Sequence, residues 1–408
     1  MKPSSLSHHI KRAIKPFAKS TFAILTKLFV RPIPPSKLLI IRTDAIGDYL
    51  LFRPFLSSIR ETYPNYHITL LGNASYRDLA LCFDRESIDT FLWFKPKSFS
   101  RNIMYRICFL YKLKKMRFTL CLNPMYSRDI AASILISYVN APNKIAPLGD
   151  CVNSTPAQKA YFDRFYTQLT PCAPQVMFEF YRNMEFFTHA INLQTQPSPY
   201  INASTLPSLS SCFVDSAPLH AKSYSVLFIG ASAAYRKWSI EHFAKIGSYL
   251  ATHYHQHIII CGGIEDRANA SHLQSLITNN TQSHNTKPQI LNLAGKTSLT
   301  QLGSLVYNGN HLISNETGCA HLGTLLDTTI VIVVSNGNHL GRFIPYPKRL
   351  SDKYYPVFHR FIEDNFDKYE QLSNAFAYKS NLDINEIKPE SIISIIDSTS
   401  QFLHKEQI

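Results

Sequence analysis

Three short stretches gather residues able to do chemistry, and each lies where an apolar run gives way to a helical pattern. The first is Arg42-Thr43-Asp44-Ala45-Ile46-Gly47-Asp48. Asp48 falls in the first turn of the helix, where the helix dipole favours a carboxylate. It reads either as a general base facing a cleft or as a helix-capping acid. Gly47 allows a ligand or another segment to approach closely. The second stretch is Gly230-Ala231-Ser232-Ala233-Ala234-Tyr235-Arg236-Lys237-Trp238-Ser239. Small residues here offer backbone N–H groups to a phosphate, with Ser232 in the loop and Lys237 as a point charge. It is neither a Walker A loop nor a G-x-G-x-x-G turn, and an exposed basic turn is the plain alternative. The third is Asn315-Glu316-Thr317-Gly318-Cys319-Ala320-His321. A helix opening at Gly318 attracts an anion, assisted by Thr317. Glu316 would repel phosphate, so its fitting partner is a hydroxyl group, as on a sugar; otherwise it is a capping acid. His321 either supports the loop or packs in the core. Two further junctions carry Glu265, which can accept ribose hydroxyls, and Thr297, which with Ser298 is also a candidate helix cap.

These stretches need strands and helices to hold them. Residues 37–42 predict a buried parallel strand, and 46–63 a helix kinked or divided at Pro54. Strands follow over 67–71, 89–94 and 118–122, and a helix over 175–190. Residues 194–222 are rich in Pro, Ser and Thr, as a linker is. The alternation then restarts: strands over 225–229, 257–261, 289–292, 311–313 and 329–334, with helices over 240–250, 266–277, 299–306 and 318–326. The expected fold class is α/β, with two Rossmann-like parallel-sheet domains facing across a cleft. The expected partition is a leader (1–36), a first domain (37–193), a linker (194–222), a second domain (223–385) and a C-terminal helix or tail (386–408). Ligands in such sheets bind at the carboxyl ends of strands.

The chain has 408 residues, 45% of them hydrophobic and 17% charged, with 42 Lys and Arg against 28 Asp and Glu. That composition excludes a disordered or collagen-like chain, and no apolar run is long enough to span a bilayer. The net charge of +14 suits a polyanionic partner: nucleic acid, anionic lipid or a phosphorylated substrate. The eight cysteines form no CxxC pair, which points to a reducing cytosol without a disulfide framework or zinc site. In the leader, Lys11, Arg12, Lys15, Lys19, Lys27 and Arg31 alternate with Phe17, Phe22, Leu25, Leu28 and Phe29. This is either a basic amphipathic helix on an anionic membrane or a segment docked on its own domain.

Taken in order, the motifs resemble those of family 9 glycosyltransferases, the lipopolysaccharide heptosyltransferase family. The pieces are Ile41-Arg42 through Gly47-Asp48, Gly230-Ala231-Ser232 with Lys237-Trp238, Gly262-Gly263, Leu293-Ala294-Gly295-Lys296-Thr297-Ser298 and Asn315-Glu316-Thr317-Gly318 with His321-Leu322. The resemblance spans about residues 37–345 and implies a GT-B fold. It also implies inverting, metal-independent transfer from a nucleotide diphospho-sugar, ADP-heptose above all; the nucleotide sugar is a substrate, and no cofactor is implied. Asp48 would be the general base. Ser232, Lys237, Thr317, Gly318 and His321 would serve the donor phosphates, and Glu316, Glu265 and Thr297 the donor sugar and nucleoside. The family typically carries Asp where this chain has Glu316, which loosens the assignment of the donor.

Lys95, Lys97, Arg101, Arg106, Lys112, Lys114, Lys115 and Arg117 give the first domain a basic surface. It suits an anionic glycan or glycolipid acceptor, or is a solvated helix face. The expected setting is the cytoplasm, peripheral at the inner membrane face. A nucleotide-sugar epimerase is the competing enzyme class. A nucleic-acid-binding protein is less favoured, because no RRM, KH or helix-turn-helix pattern stands out.

Overall fold

A computed structural model of the chain describes residues 37–213, 219–282 and 288–405. The leader, and with it both of its readings, lies outside the described residues.

The first half runs β1 (Lys37–Arg42), α1 (Ile46–Phe52), α2 (Phe55–Thr62), β2 (His67–Asn73), α3 (Arg77–Phe83), β3 (Thr90–Phe94), α4 (Pro96–Arg101) and α5 (Ile103–Lys115). It continues through β4 (Leu120–Leu122), α6 (Ile130–Tyr138), β5 (Asn143–Pro147), α7 (Pro156–Asp163), β6 (Gln168–Thr170) and α8 (Glu179–Ile191). The second half runs β7 (Tyr224–Phe228), α9 (Ile240–His253), β8 (His257–Cys261), α10 (Arg267–Thr281), β9 (Ile290–Asn292), α11 (Leu299–Asn308) and β10 (His311–Asn315). It ends with α12 (Gly318–Leu326), β11 (Ile330–Ser335), β12 (Tyr354–Phe358), α13 (Arg360–Glu363), α14 (Tyr369–Phe376) and α15 (Pro389–Lys405).

Each half holds a six-stranded sheet, ordered β3-β2-β1-β4-β5-β6 and β12-β11-β10-β7-β8-β9. All ladders are parallel. Both orders reverse beside their first strand. The crevices where ligands bind such sheets therefore open beyond β1 and β4, and beyond β7 and β10.

Strand side chains alternate between faces, and the alternation sets the layers. Leu38 and Ile40 of β1 share one core with Val226, Leu312 and Val331 of the second sheet, so apolar packing is continuous between the halves. Leu39 and Ile41 face a separate core beneath α5 and α6. Leu227, Ile260 and Ile313 face a third beneath α9, α10 and α15.

Pro54 divides the 46–63 helix into α1 and α2, because it has no N–H to continue the ladder. The helix expected from 175 begins at Glu179 instead. Arg182 donates hydrogen bonds to the carbonyls of Ala173 and Gln175, holding the preceding segment outside the helix. The Pro- and Ser-rich stretch is fastened to the second half at Ile201 and Pro207. Ile201 N–H donates to Leu325, and the Ser304 hydroxyl donates to the Pro207 carbonyl. Beyond residue 350, β12 extends the second sheet and α15 packs on α9, β11 and β12. No helix among the described residues is long and apolar enough to cross a membrane.

Candidate active site

The two crevices meet where the first turn of α1 touches the first turn of α12. A methyl group on Gly47 would lie 2.8 Å from His321 Cδ2, and one on Gly318 would lie 2.9 Å from Ile46 Cγ2. Both positions therefore require glycine. The close approach expected at Gly47 is made by the chain's own His321. The ring of His321 is buried and shares a 2.8 Å hydrogen bond with the Tyr346 hydroxyl. Burial above all, then Arg236 and His339, lowers its pKa to about 3. His321 is thus neutral and spaces the two helices, so it brings no charge to a phosphate.

On the β1 side, the fully buried Arg42 is surrounded by carboxylates. Its Nε lies 3.0 Å from Asp44 Oδ1, and its Nη2 lies 3.2 Å from Glu179 Oε1 and 3.9 Å from Asp48 Oδ1. It also donates to the Asp48 backbone carbonyl at 3.0 Å and to Asn183 Oδ1 at 3.2 Å. Burial opposes the charge on Arg42, but Asp44, Glu179 and Asp48 outweigh it and raise its pKa. Burial likewise pushes the carboxyl of Asp44 well above its usual range, with Asp48 and Glu179 adding to the rise against Arg42. Glu179 is raised too, by burial.

On the β10 side, Thr317 caps α12, its hydroxyl accepting the Cys319 N–H at 3.3 Å. Asn315 joins this strand end to the neighbouring loop: its Nδ2 donates to the Ile229 carbonyl at 2.9 Å, and its Oδ1 accepts the Trp238 N–H at 3.0 Å. Arg236 spans the start of α12. Its Nη1 donates to Ser232 Oγ at 3.0 Å, and its Nη2 donates to the Glu316 carbonyl and lies 3.2 Å from Glu316 Oε1. Lys237 does otherwise. Its Nζ lies 2.5 Å from Oδ1 of Asp266, a buried acid that also accepts the Gly263 N–H at 2.9 Å. Lys237, the expected phosphate cation, is thus paired with Asp266 in this structure, while Arg236 stands at the start of α12. Arg236 closes a 3-10 turn over Ala234–Arg236 and Lys237 follows it in extended backbone, so the two side chains diverge: Arg236 meets the α12 terminus and Lys237 neutralises Asp266. The sequence showed two adjacent bases without saying which faced the crevice.

Glu316 is only 5% exposed. Its Oε1 meets Arg236 and, at 3.0 Å, His339 Nδ1. Its Oε2 is buried without a hydrogen-bond partner. An acceptor so placed is costly unless a donor reaches it, as a ligand hydroxyl would. Glu265 is exposed, with its carboxylate folded over Gly263. Ser298 caps α11 through a capping box, which leaves the half-buried Thr297 hydroxyl outside that cap.

The β11–β12 loop carries functional neighbours that the sequence reading missed. Gly337, His339 and Gly341 all have positive φ (87°, 60° and 80°), and the resulting turns send two side chains in different directions. His339 reaches Glu316. Arg342 lies 3.8 Å from Glu179 and donates to Ser127 Oγ at 3.2 Å. One loop thus links the Glu316 site to the carboxylate cluster around Arg42. The glycine pair was its sequence signal.

Residues 157–350 match the sequence profile described as glycosyltransferase family 9 (heptosyltransferase). The matched residues, just under half of the chain, are similar to glycosyltransferase family 9. No curated protein matches it. Among solved structures, this glycosyltransferase is similar to a family 9 glycosyltransferase from Veillonella parvula, with 16% identity over 90% of this chain and 98% of the other and a TM-score of 0.65. It is also similar to the ADP-heptose lipopolysaccharide heptosyltransferase II of E. coli, with 13% identity over 91% and 100% of the two chains and a TM-score of 0.65. A third similar structure is the E. coli heptosyltransferase WaaC with ADP, with 14% identity over 89% and 99% and a TM-score of 0.62. At these identities the likeness establishes the two-sheet fold of the enzyme.

Proposed function

We propose that this enzyme transfers a sugar, with inversion and without a metal, from a nucleotide diphospho-sugar to a hydroxyl of an anionic cell-envelope glycan. An ADP-heptose-like donor and a lipopolysaccharide-core-like acceptor fit best, with the enzyme at the inner face of the cytoplasmic membrane. The observation that carries this reading is the contact of α1 with α12 through Gly47 and Gly318. It brings the helix turn bearing Asp48 beside the helix start flanked by Arg236.

In this mechanism Asp48 takes the proton from the acceptor hydroxyl as its oxygen attacks the anomeric carbon. The bond from that carbon to the diphosphate breaks, and its electron pair leaves with the nucleoside diphosphate. The positive end of α12, the Thr317 hydroxyl and the Arg236 guanidinium stabilise the growing charge on the leaving group. Glu316 receives donor sugar hydroxyls on its unpartnered oxygen. Glu265 and Thr297 face the nucleoside, and Arg42 holds Asp48 in place. The E. coli WaaC structures contain ADP or ADP-2-deoxy-2-fluoro heptose, which supports a donor of this class.

The test incubates the enzyme with a panel of ADP-, UDP-, GDP- and dTDP-sugars, with and without core oligosaccharide, in EDTA. Product mass and anomeric coupling constants are read. The expected result is acceptor-dependent transfer with inversion that EDTA leaves unchanged. Conversion of donor alone into an epimer, or activity that returns only with added magnesium, would overturn the reading.

A further inference from the structure

We infer that the outer face of α5, together with α4, is a docking surface for an anionic lipid bilayer. Ile103, Met104, Ile107 and Tyr111 are 58, 64, 46 and 42% exposed. With exposed Cys108 they follow helical spacing along one side, while Phe109, Leu110 and Leu113 fill the opposite side and bury it against the sheet. A helix apolar on both sides is expected to bury both, and this one has a protein partner on one side only.

The surrounding charge identifies the partner. From residue 90 to 128 the chain contains no Asp or Glu. Lys95, Lys97 and Arg101 are exposed at one end of the stripe, and Lys112 and Lys115 at the other. Lys115 Nζ lies 4.4 Å from the centroid of the Tyr111 ring, so the aromatic and the cation form one amphipathic edge. Arg106 donates to the carbonyls of Phe99 and Ser100 at 2.8 Å each, which fastens α4 to α5 as one face. Exposed apolar side chains ringed by bases without acids match the acyl boundary and phosphate layer of an anionic membrane. A soluble protein partner would more often meet a surface of mixed charge.

The position suits the chemistry. Gly72 pairs with both Arg42 and Trp93, so β3 ends at the same carboxyl end of the sheet as β1, which leads to Asp44 and Asp48, and α4 leaves directly from that end. The docking surface thus begins at the end of the sheet that carries the base, on the face opposite α1. The inference goes beyond the proposed transfer reaction, and its test needs no turnover.

The test uses the full chain with Cys82, Cys151 and Cys172 changed to Ser, and an environment-sensitive fluorophore on Cys108. Vesicles of phosphatidylethanolamine with phosphatidylglycerol are compared with vesicles of phosphatidylcholine, alongside co-sedimentation. The expected result is a blue shift with the anionic vesicles only. Partition should fall about tenfold or more in Ile103→Ser/Met104→Ser/Ile107→Ser, and roughly fivefold per base in Lys112→Ala/Lys115→Ala, with melting temperature unchanged. Sedimentation without a shift at Cys108 would overturn the inference, because another segment would then be the anchor. Undiminished partition of the triple apolar variant would also overturn it. So would a concentration-dependent dimer that buries Cys108 and leaves the vesicles unbound.

Discussion

The side chain of Asp48 is 23% exposed, and its carboxylate sits 3.9 Å from Arg42 rather than locked against it. It is therefore open to a substrate, whereas Asp44 and Glu179 pair more closely with the buried guanidinium. Asp48→Asn is expected to bind donor normally and to slow transfer about 100-fold or more, read as kcat beside calorimetric nucleotide affinity. Near-normal turnover would make Asp48 a helix cap. The neighbouring pair of bases gives a contrast. Arg236→Ala should weaken a nucleoside diphosphate by about 1.5–3 kcal/mol while sparing the nucleoside, since it removes a charge-assisted contact. Lys237→Ala should spare diphosphate affinity and lower stability by a few kcal/mol, because Asp266 would be left buried and unpaired. The reverse pattern would return the phosphate role to Lys237.

Among the elements, α1 and α12 must approach to the distance that two glycines allow. His321 stands between them, held by Tyr346. Gly47→Ala places a methyl 2.8 Å from the ring, and the ring has little room to yield. The expected cost is about 1–3 kcal/mol in stability from overpacking. A fall in kcat larger than any loss of nucleotide affinity should accompany it, because the helix starts would be driven apart. Thermal melting and steady-state kinetics together check this. Unchanged kcat in a destabilised variant would mean that the spacing serves folding alone.

Across the whole molecule, the shared core couples the halves, and two buried histidines make their stability depend on pH. Burial, with Lys222 adding to it, lowers His311 to about 4, and His321 falls to about 3. In the unfolded chain both would titrate near about 6.5. The unfolded state then binds more protons below that value, so stability is complete above it and is lost as pH falls toward 4. The slope reaches at most ~1.4 kcal/mol per pH unit for each histidine. Asp44 and Glu179 act with the opposite sign, since their raised carboxyls take up protons more readily in the folded state. The measurement is therefore a difference: urea midpoints between pH 7 and 5 for wild type and His311→Gln. The variant should show the shallower decline, and equal slopes would remove His311 from the account.

Much of the fold was legible because parallel strands buried on both faces read as apolar runs, unbroken in β1, β8 and β11 and shorter in β7 and β10. The strands at 143–147, 168–170 and 354–358 were not legible: they are short, and they carry Pro147 and Pro356 or polar residues that only a sheet edge or strand end tolerates. The motifs at the strand ends, and Gly47 beside Asp48, could be read because backbone constraints act locally. What only the tertiary structure decided were contacts between segments far apart in sequence: His321 against Gly47, Arg342 reaching Glu179, His339 on Glu316, and Arg236 at the start of α12 with Lys237 on Asp266. Those depend on how two sheets and one loop are set against each other, and local patterning carries no record of that.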